Sequence, residues 1–473
     1  MYLSSARFSA RNFIRCLVPT SLGVTVQSST ISQLLSRICN PQSSRPRAFA
    51  RGSGLKGFRL PCSTMNRAAG VPETVVIERQ EQIDEFCVRA RAEGRFAFDT
   101  EFVMEDRYEP EVCLVQLASE EAAALIDPFL KLDLQPVWEL VCDRQVETVV
   151  HAGQEDLAMA VRRTGQVARG VFDVQIAAGL VGYDYPLSLQ KLVQSTLQVR
   201  LRKSKTLTDW RQRPLNAAQL RYAADDVSYL LAVRRKLHDR LVGAGRLEWA
   251  EEEFRGFEDM SLYARVEEDK LRRVKGINVL KGRQLAVAGR LLLWRDGLAQ
   301  VLNRPARVAL KDHLLVEIAR HELSSFSELR ELRGLNMSDR NVQALGGIVK
   351  EALATPPEKW PAEKPFDAEA PREAVLVALA TAVVRGYCLD YDLAYSLIAT
   401  KKSLRDLIRH RTVGQPSDAS AVELLCGWRG RTVGVMLDEV LAGRRTIHVE
   451  PSNGDWVVRV GPRQPPGPRD PAQ

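Results

Sequence analysis

From residue 73 onward the apolar and polar positions follow two rhythms in alternation. Short runs with a period of two at 74–77, 96–102, 112–118, 124–126 and 148–151 predict strands, and the three-to-four spacing at 81–91, 133–141 and 155–163 predicts helices. That alternation implies an α/β domain over 73–256, with 217–241 as its last strong helical stretch. Past a charged connector at 258–281 the strands stop. Helical stretches at 284–302, 312–320, 327–332 and 339–354 predict a small all-helical domain over 283–355. The segment 356–371 is rich in Pro, Glu and Lys without periodicity and reads as a linker. Stretches at 372–385, 391–398, 404–409 and 421–441 predict a second helical unit over 372–448. Residues 449–473 read as a tail, Pro- and Arg-rich and unstructured from Pro462.

Composition changes this picture only at the front of the chain. With 473 residues, 45% apolar and 27% charged, the sequence is that of a soluble globular protein of two or three domains. No run approaches the roughly 20 apolar residues of a bilayer span, so no membrane role is expected. The net charge is +8, but residues 1–72 hold ten Arg and Lys and no acid, which leaves −2 for the remainder. The basic balance therefore belongs to the leader and says little about a nucleic-acid surface. Residues 1–72 read as an unstructured basic leader. Arg7, Arg11 and Arg15, with Phe8, Phe13, Ile14 and Leu17 between them, also resemble an organelle transit peptide, and Met65 could itself start a chain. A cytoplasmic location is expected, or a mitochondrial one if residues 1–64 are such a peptide. The eight cysteines are scattered, without a C-x-x-C pair or a histidine at ligand spacing, a pattern of a reducing compartment.

The candidate chemistry lies in acids placed where apolar residues are expected. In Phe96-Ala97-Phe98-Asp99-Thr100-Glu101-Phe102, a period of two puts Asp99 and Glu101 on one face of a hydrophobic strand. Side by side they repel, so either cations neutralise them or the strand is an exposed edge with its acids paired to Lys or Arg. Asp156 follows a strand end and a glycine in His151-Ala152-Gly153-Gln154-Glu155-Asp156, where a helix starts; a helix N-terminus favours an acid in any case. Tyr222 and Asp226, four apart, emerge on one side of a helix, with Asp225 turned toward solvent.

In this order and spacing the three segments resemble the exonuclease motifs of the DEDDy 3′→5′ exonuclease family. Within it, the ribonuclease D group is resembled through Phe172-Asp173-Val174-Gln175-Ile176-Ala177-Ala178, Ser188-Leu189-Gln190-Lys191-Leu192-Val193, Asp209-Trp210-Arg211-Gln212-Arg213-Pro214-Leu215 and Leu220-Arg221-Tyr222. The 284–354 stretch, with Leu329-Arg330-Glu331-Leu332-Arg333-Gly334-Leu335, looks like the helicase-and-RNase-D C-terminal domain, HRDC. The unit with Gly427-Trp428-Arg429 is similar to the tail of bacterial ribonuclease D relatives. The resemblance implies a ribonuclease H-like α/β domain with a mixed sheet, then an HRDC domain and a second, HRDC-like helical unit. It implies catalysis by Asp99, Glu101, Asp156, Tyr222 and Asp226, the four acids holding two Mg²⁺ or Mn²⁺ ions about 4 Å apart. Asp99 would bridge both ions, Glu101 and Asp226 complete the one that generates the nucleophile, Asp156 anchor the other, and Tyr222 orient the attacking water. Asp156 matches the motif position, and Glu155 beside it is a rival, since a helix turns adjacent residues about 100° apart.

The implied activity is removal of nucleotides from RNA with a free 3′ end, tRNA precursors being the family's usual substrates, with the HRDC unit gripping nucleic acid. Removing residues 283–473 should then leave chemistry on short oligonucleotides but weaken binding to structured RNA. Phe102, His151, Arg200, Arg202, Lys203, Lys205 and Trp210 are candidate nucleic-acid contacts, and His151, Gln116 and Trp210 are candidates for lining the site. A DNA exonuclease of the proofreading or Werner type shares the same acids, and a silent nucleic-acid-binding scaffold is the alternative outside the enzymes.

Overall fold

The computed structural model describes residues 58–59, 72–201, 208–263, 267–361, 370–412, 422–452 and 454–462. Strands β1 (Phe58–Arg59), β2 (Glu73–Ile77), β3 (Arg95–Val103), β4 (Glu111–Ala118), β5 (Ala122–Ile126), β6 (Glu147–Val150) and β7 (Val171–Asp173) share one sheet in the order β1-β2-β5-β4-β3-β6-β7. The central β3-β4-β5 meander is antiparallel, and β6 and β7 add in parallel on the β3 side. Helices cover both faces, so the central strands read as apolar runs buried almost throughout. On one face Phe96 and Phe98 are buried, and Phe98 meets Trp138 of α2 (Gln135–Val141) edge-on at 6.3 Å. On the other, helix α6 (Ala217–Ser228) lays Ala223 and Ala224 against Leu114, Leu125 and Trp210. Alanines there let the helix backbone come close to the strands that carry the acids.

Helix α1 (Gln80–Glu93) ends at Gly94, whose φ of 71° lets the chain turn straight into β3. The helical stretch expected as one over 217–241 is α6 followed by α7 (Leu230–Gly243), with Tyr229 between them. Helix α8 (Leu247–Arg255) closes the α/β region. A connector expected as a charged run carries short helices at Met260–Tyr263 and Glu267–Arg273. Helices α9 (Arg283–Leu302), α10 (Asp312–His321), α11 (Phe326–Glu331) and α12 (Asp339–Leu353) then pack around a core of their own, including Val287, Leu291, Leu315, Ile318, Val342 and Leu345.

The C-terminal unit, with α13 (Pro371–Asp390) and α14 (Lys401–Thr412), differs: its core is continuous with that of the α/β domain. The fully buried Trp428 stacks on Trp249 of α8 at 4.8 Å. Its backbone N–H donates to Glu252 (2.8 Å) and its indole N–H to Glu253 (2.7 Å). A cut at residue 283 would therefore strip a packed face from the 73–256 domain.

Three further expectations are corrected. The leader is not unpaired throughout, because Phe58–Arg59 bonds antiparallel to the edge of β2, whose backbone groups need partners. Residues 449–473 are not simply a tail: β8 (Arg445–Ser452) and β9 (Asp455–Pro462) form a hairpin. Its signal was in the sequence, Asn453-Gly454 between two alternating runs. The stretch expected as one helix over 421–441 is interrupted at the extended Cys426, after a 3₁₀ turn at Glu423–Leu425, and runs helical from Gly427 to Leu441 through a π segment at Gly430–Gly434, where a Cβ on Gly430 would lie 2.4 Å from the Leu425 carbonyl. Among the described residues no helix is long and apolar enough to cross a membrane.

Candidate active site

Asp99 and Glu101 stand on the face of β3 that α6 covers, opposite Gln116 and Leu114 of β4, and a bulge shifts the register between Glu101 and Phe102. On its other side β3 pairs with β6 only through Arg95, Phe96 and Ala97. Asp156, near the start of α3 (Gln154–Thr164), occupies the edge left beyond that point. Its Oδ1 accepts from the Thr100 backbone N–H at 3.1 Å and from the Thr100 hydroxyl at 2.5 Å. The carboxylate is thus held by the strand that carries the other two acids. Glu155 faces outward, exposed, with Arg162 at 3.9 Å, so the geometry separates the two neighbours as the motif position implied.

The turn that aims α3 is itself locked. Asp173, 2% exposed, accepts from the N–H groups of Ala152 and Gly153 (3.2 Å each) and of Gln175 at 2.8 Å. One buried carboxylate so ties the start of α3 to that of α4 (Val174–Gly179). Gly153 is required there, because a Cβ would stand 2.5 Å from that of Val150.

Tyr222 and Asp226 rise from α6, and the Tyr222 hydroxyl donates to the Asp226 carboxylate. Helix α6 is fixed at its N-terminus by Asn216, which accepts from the N–H groups of Ala218 (2.9 Å) and Gln219 (3.0 Å). Arg213 clamps the approach to it, bonding Asp127 (2.6 and 2.8 Å), the Cys113 carbonyl (2.7 Å) and the Trp210 carbonyl (2.7 Å). Arg211 bonds Glu111 at 2.8 Å and Asp106, so both arginines of this segment are committed to holding the site's wall.

Four acids from three segments thereby share one place. Burial first, then the like charges of Asp156, Asp226 and Glu101, hold Asp99 well above the usual carboxylate range. Burial and Asp156 push Glu101 up to about 7. Burial lifts Asp156 to about 6 against the opposing Thr100 bonds, and burial with Glu101 raises Asp226 well above the usual range. Burial, then the charges of Asp226, Glu101 and Asp99, raise Tyr222 further, so it is a neutral phenol at any physiological pH. None of the largest influences on the four acids is a cation.

A set of oxygen-only donors with unbalanced negative charge fits a hard divalent cation. In the present arrangement no three His, Cys, Asp or Glu side chains among the described residues converge to share an ion.

Of the other sequence candidates, Trp210 is 8% exposed and packs beside Tyr222, ring centroids 6.0 Å apart. His151 is half-buried and donates from Nε2 to the Leu187 carbonyl at 2.8 Å; burial lowers its pKa. Phe102 is partly buried against the core and Arg200 is exposed. Arg202, Lys203 and Lys205 lie outside the described residues. Asp225, expected in water, is partly buried. Two features were not anticipated. A cleft of about 780 Å³ opens beside α3 and is shared with the 283–355 domain, with Met104, Arg107, Gln154 and Arg162 on one wall and Lys270 and Arg273 on the other. On its rim the Asn303 side chain accepts from the N–H groups of Tyr108 and Glu109, 3.2 Å each.

The mixed sheet and its carboxylate cluster define a 3′→5′ exonuclease domain. Residues 74–242 match the family described as 3′-5′ exonuclease, and residues 284–346 match the HRDC domain. The chain belongs to the ribonuclease D family. It is 32% identical to the ribonuclease D of Gluconacetobacter diazotrophicus over 83% of this chain and 98% of that one. To that of Sphingobium indicum it is 32% identical over 79% and 96%. The solved structure of Escherichia coli RNase D, described as an exoribonuclease involved in structured RNA processing, superimposes with a TM-score of 0.67 at 28% identity, covering 78% of this chain and 98% of that one. The protein is a hydrolytic 3′→5′ exoribonuclease, of a family that depends on divalent metal.

Proposed function

We propose that Asp99, Glu101, Asp156 and Asp226 hold two Mg²⁺ or Mn²⁺ ions and that the enzyme removes nucleotides from the free 3′ end of RNA, precursors of tRNA included. The observation that carries this reading is the convergence of four buried acids from three segments, Asp99 and Glu101 on one face of β3, Asp156 tied to Thr100 of that strand and Asp226 on the helix above it. When bound, the ions supply a hydroxide nucleophile and offset charge on the phosphate and on the departing 3′ oxygen. The chain's own part is placement. Thr100 anchors Asp156, Asp173 sets the turn before it, and α6 delivers Asp226 with Tyr222. Tyr222, kept protonated, orients water by hydrogen bonding and takes no proton. The cleft beside α3, with basic side chains on both walls, supports an approach for the RNA strand between the exonuclease and HRDC domains.

The test is hydrolysis of matched RNA and DNA oligonucleotides with free or blocked 3′ ends. RNA with a free end should be degraded when Mg²⁺ or Mn²⁺ is present, and Asp99→Asn should abolish this. Turnover in excess EDTA would defeat the metal reading, and preferential degradation of DNA would defeat the substrate.

A further inference from the structure

Gln116 lies in the middle of β4, directly across the antiparallel pair from Asp99, and so on the face of the sheet that carries Asp99 and Glu101. It is 0% exposed, and both ends of its amide lack a hydrogen-bond partner. Its neighbours on that face are Leu114 and Leu125, with Ala223 and Ala224 of α6 above the same strands. A leucine would fill the position without burying unpaired polar atoms, and buried polar groups are otherwise almost always satisfied. The amide stands next to a carboxylate that the family's metal would draw into place. It is not among the side chains given a metal-binding role above.

We infer that Gln116 is a positioning residue for the metal-loaded site, its amide N–H donating to the Asp99 carboxylate. An ionised carboxylate gripping a metal needs its remaining lone pairs directed, and a donor on the neighbouring strand does this without adding charge. No other group among the described residues partners the amide, so the residue costs stability unless that bond forms.

The inference rests on the carboxylate reading, and the experiment separates the two. Full-length wild type, Gln116→Leu, Gln116→Met and Asp99→Asn are melted in EDTA and across a Mn²⁺ titration, and kcat and KM are measured on a 3′-hydroxyl oligoribonucleotide. With at least one of the two apolar variants, melting in EDTA should be at or above wild type. The Mn²⁺ concentration for half-maximal stabilisation should rise about tenfold or more and kcat fall by about 10- to 100-fold, as for loss of an outer partner of a metal ligand. KM should stay within about threefold, since the RNA is not touched. Wild-type Mn²⁺ response and kcat in the apolar variants would overturn the role of Gln116, provided Asp99→Asn has lost its Mn²⁺ response. Melting of both variants well below wild type in EDTA would overturn it too, by showing the amide satisfied without metal. A full Mn²⁺ response in Asp99→Asn would overturn the carboxylate reading and this inference with it.

Discussion

Stripping the metal should make this enzyme less stable as pH rises, in the range where most proteins change little. Each acid of the cluster has its pKa raised by burial, so the native state keeps protons that the unfolded chain has already released. Wherever the native state binds more protons, stability falls with rising pH. For Glu101, lifted from 4.5 to about 7, the contribution is intact below about pH 4.5 and lost as pH climbs through 7. At ~1.4 kcal/mol for each pH unit this one group contributes at most about 3 kcal/mol. At roughly 2–4 °C per kcal/mol, that corresponds to a drop on the order of 5–10 °C in the melting of the exonuclease unit between pH 5 and pH 8. Asp156, lifted to about 6, adds in the same direction, though the two share one field and do not sum. His151, lowered by burial, opposes them, since a base of depressed pKa lends stability as pH rises. Calorimetry on dialysed protein, with and without Mn²⁺ at each pH, isolates the cluster, because the histidine acts equally in both series. The gap between the two series should widen steadily from pH 5 to pH 8. A metal-free melting temperature that holds level or rises, with a constant gap, would refute the claim that these acids are buried without a counter-charge.

On α6, Asp226→Asn should eliminate hydrolysis and Tyr222→Phe should slow it about tenfold or more through lost water placement, while Asp225→Asn stays within a few-fold; single-turnover rates decide, and a dead Asp225 variant beside an active Asp226 one would sink the assignment. Thr100→Val removes the 2.5 Å bond to Asp156 inside the protein and should cost about 1–3 kcal/mol of stability together with a fall in kcat, measured by urea unfolding and turnover. Trp428→Ala leaves a void against Trp249 and should cost about 3–5 kcal/mol in the exonuclease unit, not only in the C-terminal helices; urea unfolding followed by a probe in each unit would contradict the shared core if only the helices weaken.

Much of the site was legible because acids in apolar surroundings are conspicuous. Asp99 and Glu101 stood out by violating a buried strand, and Tyr222 with Asp226 by their four-residue spacing. Gln116 carried the same kind of signal, a polar residue within Cys113-Leu114-Val115-Gln116-Leu117-Ala118, but one polar position in a strand does not reveal what lies opposite it. Glu155 and Asp156 could be separated only by motif position; the fold separates them physically, burying one against Thr100 and exposing the other. Arg211 and Arg213 looked like part of a functional motif, and their ion pairs with residues about a hundred positions away turn them into struts.

Local pattern by itself indicated most strands and helices of the first domain, the helical stretch after the connector and the candidate acids, because period, capping and charge are properties of neighbours in sequence. Only the tertiary structure decided that β6 ends early enough to leave β3 an edge for Asp156, that Gln116 lies across from Asp99, and that the C-terminal helices share the core of the first domain. Each of those depends on register and packing between segments far apart in the chain, and contacts of that kind are chosen by the fit of whole surfaces, which no local stretch of sequence encodes.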